Sequence, residues 1–342
     1  MPDTYSHTPA ATPLKDPFGR SITYLRLSVT DRCDLRCRYC MAEHMTFLPK
    51  PEVLTLEEML TLSRAFMERG VRRIRLTGGE PLVRKNILWL VDALGQEVGR
   101  GNLDEITLTT NGTQLVPMAR DLANAGVKRI NVSLDTLNAE KFAEITRRDR
   151  IEDVLAGIAA ARDAGIAVKI NTVALKGGND GELADLLAWC VSEGLDLTLI
   201  ETMPLGDVAD AREDNYLPLT AVMADLKTRW QFTPSGHRTG GPARYFNIGD
   251  TGRRLGLITP LTGNFCDGCN RVRVTCTGRI YMCLGQDDHV DLRAALRSDN
   301  PQGDLHSALD RAIGAKPKGH DFAMQGGQMV GKVGRHMSQT GG

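Results

Sequence analysis

The feature that most limits the fold of this chain is a regular alternation of strand-like and helix-like runs between residues 22 and 201. The strand-like runs cover 22–29, 72–77, 104–110, 128–134, 166–173 and 195–201. The helix-like runs, which have apolar residues at helical spacing, cover 55–70, 86–98, 114–125, 138–164 with a break, and 180–193. Strands that alternate with helices predict a parallel sheet whose connections are right-handed crossovers.

Each predicted strand has one apolar and one polar face, because successive side chains along a strand point to opposite sides. In the first strand Leu25 and Leu27 alternate with Arg26 and Ser28, and the later strands repeat this pattern. A closed eight-stranded barrel fills its interior with branched apolar side chains. Six strands with a polar lining instead predict an α/β fold with an incomplete, TIM-like (β/α)6 barrel around a polar ligand.

Three basic residues, Arg26, Arg75 and Lys169, fall on the polar faces of these strands. An unpaired buried charge is costly, so it is normally neutralised or given a partner. We therefore expect the barrel to hold an anion, such as a polyphosphate or a carboxylate.

A short loop directly after the first strand carries Cys33, Cys37 and Cys40 in a CxxxCxxC pattern. Iron–sulfur clusters are held by cysteine thiolates, and the usual full set is four. Three thiolates would leave one iron of a [4Fe–4S] cluster open to another ligand. The spacing also departs from the common zinc patterns. The loop predicts such a cluster, with a structural zinc site or reduced core thiols as the alternative.

A second set of three thiols lies near the C-terminus, at Cys266, Cys269 and Cys283. Cys276 is ambiguous, because it is either a fourth ligand of this set or part of the apolar face of a short strand with Val272 and Val274. The remaining thiol, Cys190, falls in a helix-like run and is predicted to belong to the core.

A Gly78-Gly79-Glu80-Pro81 turn follows the second predicted strand. Two glycines allow the backbone to approach a neighbour closely. In βα folds the carboxyl ends of the strands are where ligands bind. We therefore expect this turn to lie beside the cysteine loop that follows the first strand.

Charge and hydropathy exclude several functional classes. The net charge is +0, so no overall field recruits nucleic acid or a membrane surface. No apolar run approaches the roughly 20 residues of a membrane helix. The N-terminus is polar without the apolar region of a signal peptide, so residues 1–20 are predicted to be a flexible lead-in. The cysteines are then reduced thiols or metal ligands of a cytoplasmic protein.

These motifs together resemble the radical S-adenosylmethionine (SAM) enzymes and, more narrowly, the GTP 3′,8-cyclase family of molybdenum-cofactor biosynthesis. The resemblance runs from about residue 17 to the C-terminal Gly341-Gly342. The stretches that carry it are 27–33, the cysteine loop 33–40, 76–82, 108–112, 130–135 and 265–273, with Cys283 at the family's spacing.

The resemblance implies a lyase with two [4Fe–4S] clusters. SAM would bind the open iron of the first cluster and be cleaved to methionine and a 5′-deoxyadenosyl radical. The radical would abstract the ribose 3′-hydrogen of GTP, and the product would be (8S)-3′,8-cyclo-7,8-dihydroguanosine 5′-triphosphate. The second cluster would bind the guanine edge.

The resemblance also implies roles for single residues. Those implied for SAM binding are Tyr39, Gly79, Ser133 and Met203. Those implied for GTP binding are Arg26, Arg75, Thr109, Lys169, Arg271, Val272 and Arg273. The terminal Gly341 and Gly342 would reach into the active site, although glycine-rich chain ends are also commonly disordered.

The resemblance further implies a division of the chain and a set of partners. The lead-in, 1–20, precedes a partial barrel at 21–215 and a cluster-binding region at 216–342. The implied partners are GTP, a flavodoxin- or ferredoxin-like electron donor and a second copy of the chain, with no nucleic acid and no membrane.

One position departs from the family pattern. Thr198 stands where many members have a basic residue on the sixth strand. Either another residue, such as His237, Arg238 or Arg244, supplies the phosphate contact, or the substrate is not a triphosphate. Two other functions therefore remain open: a different radical SAM enzyme with an auxiliary cluster, for example one that modifies a peptide, and a non-enzymatic iron–sulfur or zinc protein.

Overall fold

The computed structural model describes residues 12–206, 214–263, 265–326 and 328–341. The strands in these ranges are β1 Tyr24–Ser28, β2 Arg73–Thr77, β3 Glu105–Thr110, β4 Arg129–Ser133, β5 Ala167–Ala174, β6 Asp196–Glu201, β7 Phe232–Pro234, β8 Arg244–Ile248, β9 Arg254–Ile258, β10 Arg271–Val274, β11 Arg279–Tyr281, β12 His289–Asp291, β13 Ala323–Gln325 and β14 Gln328–Val330. The α-helices are α1 Leu56–Glu68, α2 Ile87–Gly99, α3 Leu115–Asn124, α4 Ala139–Thr146, α5 Ile151–Asp163, α6 Leu183–Ser192, α7 Leu219–Leu226, α8 Leu292–Leu296, α9 Pro301–Gly314 and α10 Met337–Thr340.

The first six strands form a parallel sheet in chain order, as the alternation of strands and helices predicts. Two strands of the C-terminal region extend it, because β10 pairs in parallel with β1 and β9 pairs in parallel with β6. Antiparallel strands complete each edge, giving a twelve-stranded order of β12-β11-β10-β1-β2-β3-β4-β5-β6-β9-β8-β7. The incomplete α/β barrel is confirmed, and its C-terminal region belongs to the same sheet.

The helices cover the apolar face of this sheet. In α1 the side chain of Thr55 accepts a hydrogen bond from the backbone N–H of Glu58, and the Glu58 carboxylate accepts one from the backbone of Thr55. This reciprocal cap satisfies two N–H groups that a helix start leaves unpaired. The buried face of α1, which includes Met59, Leu62 and Phe66, joins one core with Leu25 and Leu27 of β1. The polar face of the strands is left to line the interior.

Residues 12–20, which the sequence analysis assigns to the lead-in, are packed against the rest of the chain. Leu14 is buried, and its backbone N–H donates to the carbonyl of Arg69 at 2.9 Å. The Arg20 guanidinium donates to the backbone carbonyls of Cys266, Pro317 and Lys318. Residues 1–11 lie outside the described ranges.

A search for helices long and apolar enough to cross a membrane finds none among the residues that the structure describes. The longest described helix, α9, has 14 residues.

Candidate active site

One cavity lies on the polar face of the parallel strands, and both cysteine sets face it. It is lined by Cys33, Cys37, Cys40, Cys266, Cys269 and Cys283. Its lining also includes the other predicted residues Tyr39, Gly79, Ser133, Met203, Arg26, Arg75, Thr109, Lys169, Arg271 and Arg273. Residues separated by up to 257 positions in the sequence (26 and 283) are therefore brought to one site.

The first cysteine loop is fixed by the carboxylate of Asp34. This carboxylate accepts hydrogen bonds from Asn111 Nδ2 at 2.7 Å, Thr113 Oγ1 at 2.6 Å and Gln114 Nε2 at 3.0 Å. It also forms an ion pair with Arg150 at 3.3 Å. The hydrogen bonds hold the pKa of Asp34 below its usual value in spite of burial. Side chains that follow β3 thus hold the loop that follows β1.

The Gly78-Gly79 turn lies directly against this loop, as expected. The backbone N–H of Gly79 donates to the Thr30 carbonyl at 2.9 Å, and that of Glu80 donates to the Arg32 carbonyl at 2.8 Å. A Cβ atom at Gly79 would lie 2.2 Å from the Arg32 carbonyl oxygen, so only glycine allows this approach. The turn therefore presents bare backbone to the cavity beside the three thiols.

The Glu80 carboxylate joins this turn to the end of β3. It accepts hydrogen bonds from Thr110 Oγ1 at 2.8 Å and from the Asn111 N–H at 2.6 Å. Burial nevertheless raises the pKa of Glu80 to about 7.

Tyr39 is held in the cavity by Asp135, which follows β4. The Tyr39 hydroxyl donates to Asp135 Oδ2 at 2.7 Å, and the other carboxylate oxygen accepts from the Val173 N–H at 2.8 Å. Burial raises the pKa of Asp135 to about 6, while these hydrogen bonds oppose the rise. Asp135 ends the stretch 130–135 that carries the family resemblance, and the sequence gives it no role of its own.

The second cysteine set has a cationic environment. Lys316 Nζ and Arg271 Nη2 each lie 3.8 Å from the sulfur of Cys269. Burial alone would raise the pKa of Cys269, but Arg271 and Lys316 outweigh it, and the pKa is lowered. Lys316 is 3% exposed and also donates to the carbonyl of Arg271 at 3.1 Å. Nearby positive charge favours the thiolate, which is the form that binds metal.

The donor chemistry of both sets fits an iron–sulfur cluster, which takes cysteine thiolates as ligands. In the first set burial raises the pKa of Cys33 and of Cys37, so their thiolates need compensating charge. Among the described residues, no three His, Cys, Asp or Glu side chains are grouped closely enough to bind a single metal ion. A cubane cluster is larger than a single metal ion, so its cysteine ligands lie farther apart than the ligands of one ion would.

Three arginines stand side by side across neighbouring strands. In the register of the sheet, Arg26 on β1 lies opposite Arg75 on β2 and opposite Arg273 on β10. Within the described part of the chain, Arg26 Nε and Nη2 are buried and have no hydrogen-bond partner. Burial, followed by the charges of Arg273 and Arg75, lowers the pKa of Arg26 well below its usual value. A bound anion would give these buried atoms a partner and offset the cost of their burial.

Arg75 and Lys169 make neutral contacts inside the cavity. Arg75 Nε donates to the Tyr24 hydroxyl at 2.6 Å, and its Nη1 donates to Thr109 Oγ1 at 3.0 Å. Burial, aided by Arg75 and Arg129, lowers the pKa of Lys169 to about 7. The cluster of cations on the polar face is thus as the sequence predicts.

The chain end reaches this arginine row. Arg273 Nη1 donates to the carbonyls of Thr340 at 3.2 Å and Gly341 at 2.6 Å. Gly341 has φ 75°, and a Cβ there would lie 2.1 Å from Thr77 Cγ2, so this position admits only glycine. Gly342 lies outside the described residues.

The side chains of Val272 and Cys276 do not line the cavity. The Val272 side chain, 1% exposed, alternates with Arg271 and Arg273 and therefore packs in the core behind β10. Cys276 is also a core residue, 2% exposed, and stands apart from the three thiols that line the cavity. The apolar alternative for Cys276 is therefore the one that the packing supports.

Sequence reasoning did not identify Tyr24, Lys316 or Asp34 as parts of the site. Tyr24 had a usable signal, because it has the same strand parity as Arg26. Asp34 lies between two cysteines of the loop, but its partners follow another strand. Lys316 comes just after α9 and gives no local signal, since its contacts depend on how that helix packs.

Comparison with known proteins identifies the family. The Radical SAM superfamily profile matches residues 27–190, and the Molybdenum Cofactor Synthesis C profile matches 195–322. The GTP 3′,8-cyclase of Rhizobium etli is 59% identical over 97% of this chain and 95% of its own length. That of Erythrobacter litoralis is 60% identical over 97% of this chain and 100% of its own. SuiB of Streptococcus suis, crystallised with S-adenosylmethionine, has a TM-score of 0.57 and 17% identity over 84% of this chain and 69% of its own, a likeness of fold alone.

Proposed function

This chain belongs to the GTP 3′,8-cyclase family of radical SAM enzymes, and on that premise we propose how its residues carry out the reaction. It is a lyase that converts GTP to (8S)-3′,8-cyclo-7,8-dihydroguanosine 5′-triphosphate, the first step of molybdenum-cofactor biosynthesis. Its cofactors include SAM and an iron–sulfur cluster. When bound, these two groups supply the 5′-deoxyadenosyl radical that takes hydrogen from the substrate.

The residues around the first cysteine set would bind and orient SAM. Cys33, Cys37 and Cys40 hold the cluster, and the bare backbone at Gly79 offers polar atoms to the methionine part of SAM. Tyr39, fixed by its hydrogen bond to Asp135, would lie beside the cofactor, with Ser133 at the end of β4 and Met203 just after β6. If these contacts hold SAM in one position, few substrate atoms other than the intended hydrogen would lie within reach of the radical.

The observation that chiefly supports GTP binding is the row of Arg26, Arg75 and Arg273, in which Nε and Nη2 of Arg26 are buried and have no hydrogen-bond partner among the described residues. Arginine forms paired hydrogen bonds to phosphate, so a triphosphate satisfies this row better than a peptide would. Lys169, Arg271 and Thr109 would complete the nucleotide contacts. Val272 would contribute only backbone, because its side chain is in the core.

A second [4Fe–4S] cluster on Cys266, Cys269 and Cys283 would bind the guanine end of GTP. The cations Arg271 and Lys316 beside Cys269 support this assignment, since they favour the thiolate. The Gly341-Gly342 end would help to close the site, and the contact of Arg273 with the Gly341 carbonyl supports this role.

Further proposals concern the whole protein. We keep the division into a lead-in at 1–20, a radical SAM barrel at 21–215 and a cluster-binding region at 216–342. A flavodoxin- or ferredoxin-like protein would supply the electron, two copies of the chain would form a dimer, and the enzyme would act in the cytoplasm.

The function is tested by anaerobic reconstitution with iron and sulfide, followed by reductant, SAM and GTP. We expect 5′-deoxyadenosine whose formation is stimulated by GTP, together with cyclised GTP by mass spectrometry. Formation of 5′-deoxyadenosine without consumption of GTP would instead favour another radical SAM reaction. Binding of zinc but not iron would contradict the enzymatic function.

Replacement of Arg26 by Met is expected to weaken GTP binding by about ten- to a hundredfold, the worth of a hydrogen bond to a charged group. The same change should raise the melting temperature of the protein without nucleotide, because it removes an unpaired buried charge. Anaerobic equilibrium dialysis and thermal melts measure the two effects. Arg229→Met on the exposed surface is the matched control, and a lower melting temperature for Arg26→Met would contradict the argument.

GTP affinity is expected to fall as pH rises above about 7. In the empty cavity burial lowers the pKa of Lys169 to about 7, so above this pH its neutral amine must take up a proton when a phosphate binds. Phosphate raises the pKa in the complex, and the dissociation constant then rises by up to about tenfold per pH unit until that higher pKa is reached. Lys169→Gln should remove this dependence, while the γ-phosphate titrates equally in both proteins. Identical pH profiles for the two proteins would exclude Lys169 as the titrating group.

A further inference from the structure

The side chain of Tyr245 lies beside Thr198 of the sixth strand. Tyr245 on β8 is opposite Gly256 on β9, and Gly256 is opposite Thr198 on β6. A Cβ atom at Gly256 would lie 2.8 Å from Thr198 Oγ1 and 3.0 Å from Tyr245 Cε1. The glycine thus lets the tyrosine ring pack close to Thr198, which is 0% exposed.

The Tyr245 hydroxyl is in contact with a cation of the site. Lys169 Nζ donates to it at 3.1 Å and lies 5.6 Å from the centre of the ring. Asp196, which faces Lys169 across the β5–β6 pair, is held instead by Arg254, with 2.9 Å between Arg254 Nη2 and Asp196 Oδ2. The direction of the Lys169 ammonium is therefore set by a neutral hydroxyl, and its charge stays available to a ligand.

The ring of Tyr245 is itself fixed. It is 4% exposed and makes an edge contact with the His237 ring, with 4.8 Å between centroids and 80° between planes. Its backbone carbonyl accepts a hydrogen bond from the Ser235 N–H at 2.9 Å. A buried ring that packs against its neighbours can act as a rigid support for another side chain.

We propose that Tyr245 is a positioning residue that directs the Lys169 ammonium to the nucleotide phosphates. This inference rests on the proposed function of the site. Thr198, Gly256 and Tyr245 form a close-packed wall beside Lys169. The phosphate contact on this side of the cavity then comes from Lys169 on the neighbouring fifth strand.

A double-mutant cycle with Tyr245→Phe and Lys169→Gln tests this role, with GTP dissociation constants measured by anaerobic equilibrium dialysis. Tyr245→Phe removes the hydroxyl and keeps the ring, so we expect about a tenfold weaker affinity, as for loss of a hydrogen bond to a charged group. In the Lys169→Gln background the same change should alter affinity by less than about twofold, because coupled residues are not additive. An equal loss in both backgrounds, or no loss in either, would overturn the proposal.

Gly256→Ala provides a second, independent displacement of the ring, because the added Cβ would press on Tyr245 and Thr198. It is expected to weaken GTP binding only while Lys169 is present, and an equal effect without Lys169 would also contradict the proposal.

An activity assay of the unmodified enzyme distinguishes failure of the proposed function from failure of the role of Tyr245. If it makes no cyclised GTP, the proposed function fails; if it does and the cycle is additive, only the role of Tyr245 fails.

Discussion

Cys33→Ser is expected to reduce formation of 5′-deoxyadenosine to background, with or without GTP. Cys33 is one of three thiols that would hold the first cluster, and its loop is fixed by Asp34 and packed against Gly79. A serine hydroxyl is a poor substitute for a thiolate ligand, so the cluster would lose a ligand and its position relative to SAM. Anaerobic turnover with dithionite, followed by chromatography of the products, measures the effect.

The matched control for this variant is Cys190→Ala. Cys190 is 0% exposed within the core at α6, far from the cavity lining. Cys190→Ala should lower the stability of the protein, but the variant should still form both 5′-deoxyadenosine and the cyclised nucleotide. Retention of SAM cleavage by Cys33→Ser at near the normal rate would contradict the assignment of the first cluster.

Cys283→Ser is expected to separate the two halves of the reaction. It should keep slow, GTP-independent formation of 5′-deoxyadenosine and lose the cyclised nucleotide, because the second cysteine set would hold the substrate and not SAM. Iron content should fall from about eight to about four atoms per chain. Product analysis and iron determination on the same anaerobic sample provide the measurement.

Cys276→Ala is the control for the second set. Cys276 lies between Cys269 and Cys283 in the sequence, but its side chain packs in the core. Its replacement by alanine should therefore leave the iron content and the product ratio unchanged. Equal loss of both products in Cys283→Ser would show that the two cysteine sets do not have separate tasks.

The strands and the positive charge of the cavity could be predicted from the sequence, because both depend on the local pattern of side chains. Alternation along β1, β2 and β5 places Arg26, Arg75 and Lys169 on one face whatever the details of packing. The same parity rule places the Val272 side chain on the opposite face from Arg271 and Arg273. The implied role of Val272 in binding therefore applies to its backbone, and the sequence already contained that information.

Other parts of the site depend on contacts that a sequence does not encode locally. The pairing of β10 with β1 sets Arg273 beside Arg26, although 247 positions separate them in the sequence, and no spacing rule gives that register. Lys316 reaches Cys269 only through the packing of α9. Tyr245 reaches Lys169 because Gly256 leaves space between two strands. Each is a tertiary consequence of the sheet order and follows from no motif.

The central claim is that the chain holds GTP with its ribose facing the SAM site, between two cysteine sets. GTP carrying deuterium at C3′ tests it directly, with the unlabelled nucleotide and the Cys283→Ser variant as controls. We predict that the intact enzyme transfers one deuterium to 5′-deoxyadenosine in step with formation of the cyclised nucleotide. The variant should release unlabelled 5′-deoxyadenosine. Unlabelled 5′-deoxyadenosine from the intact enzyme, with the deuterium retained in recovered GTP, would contradict the account.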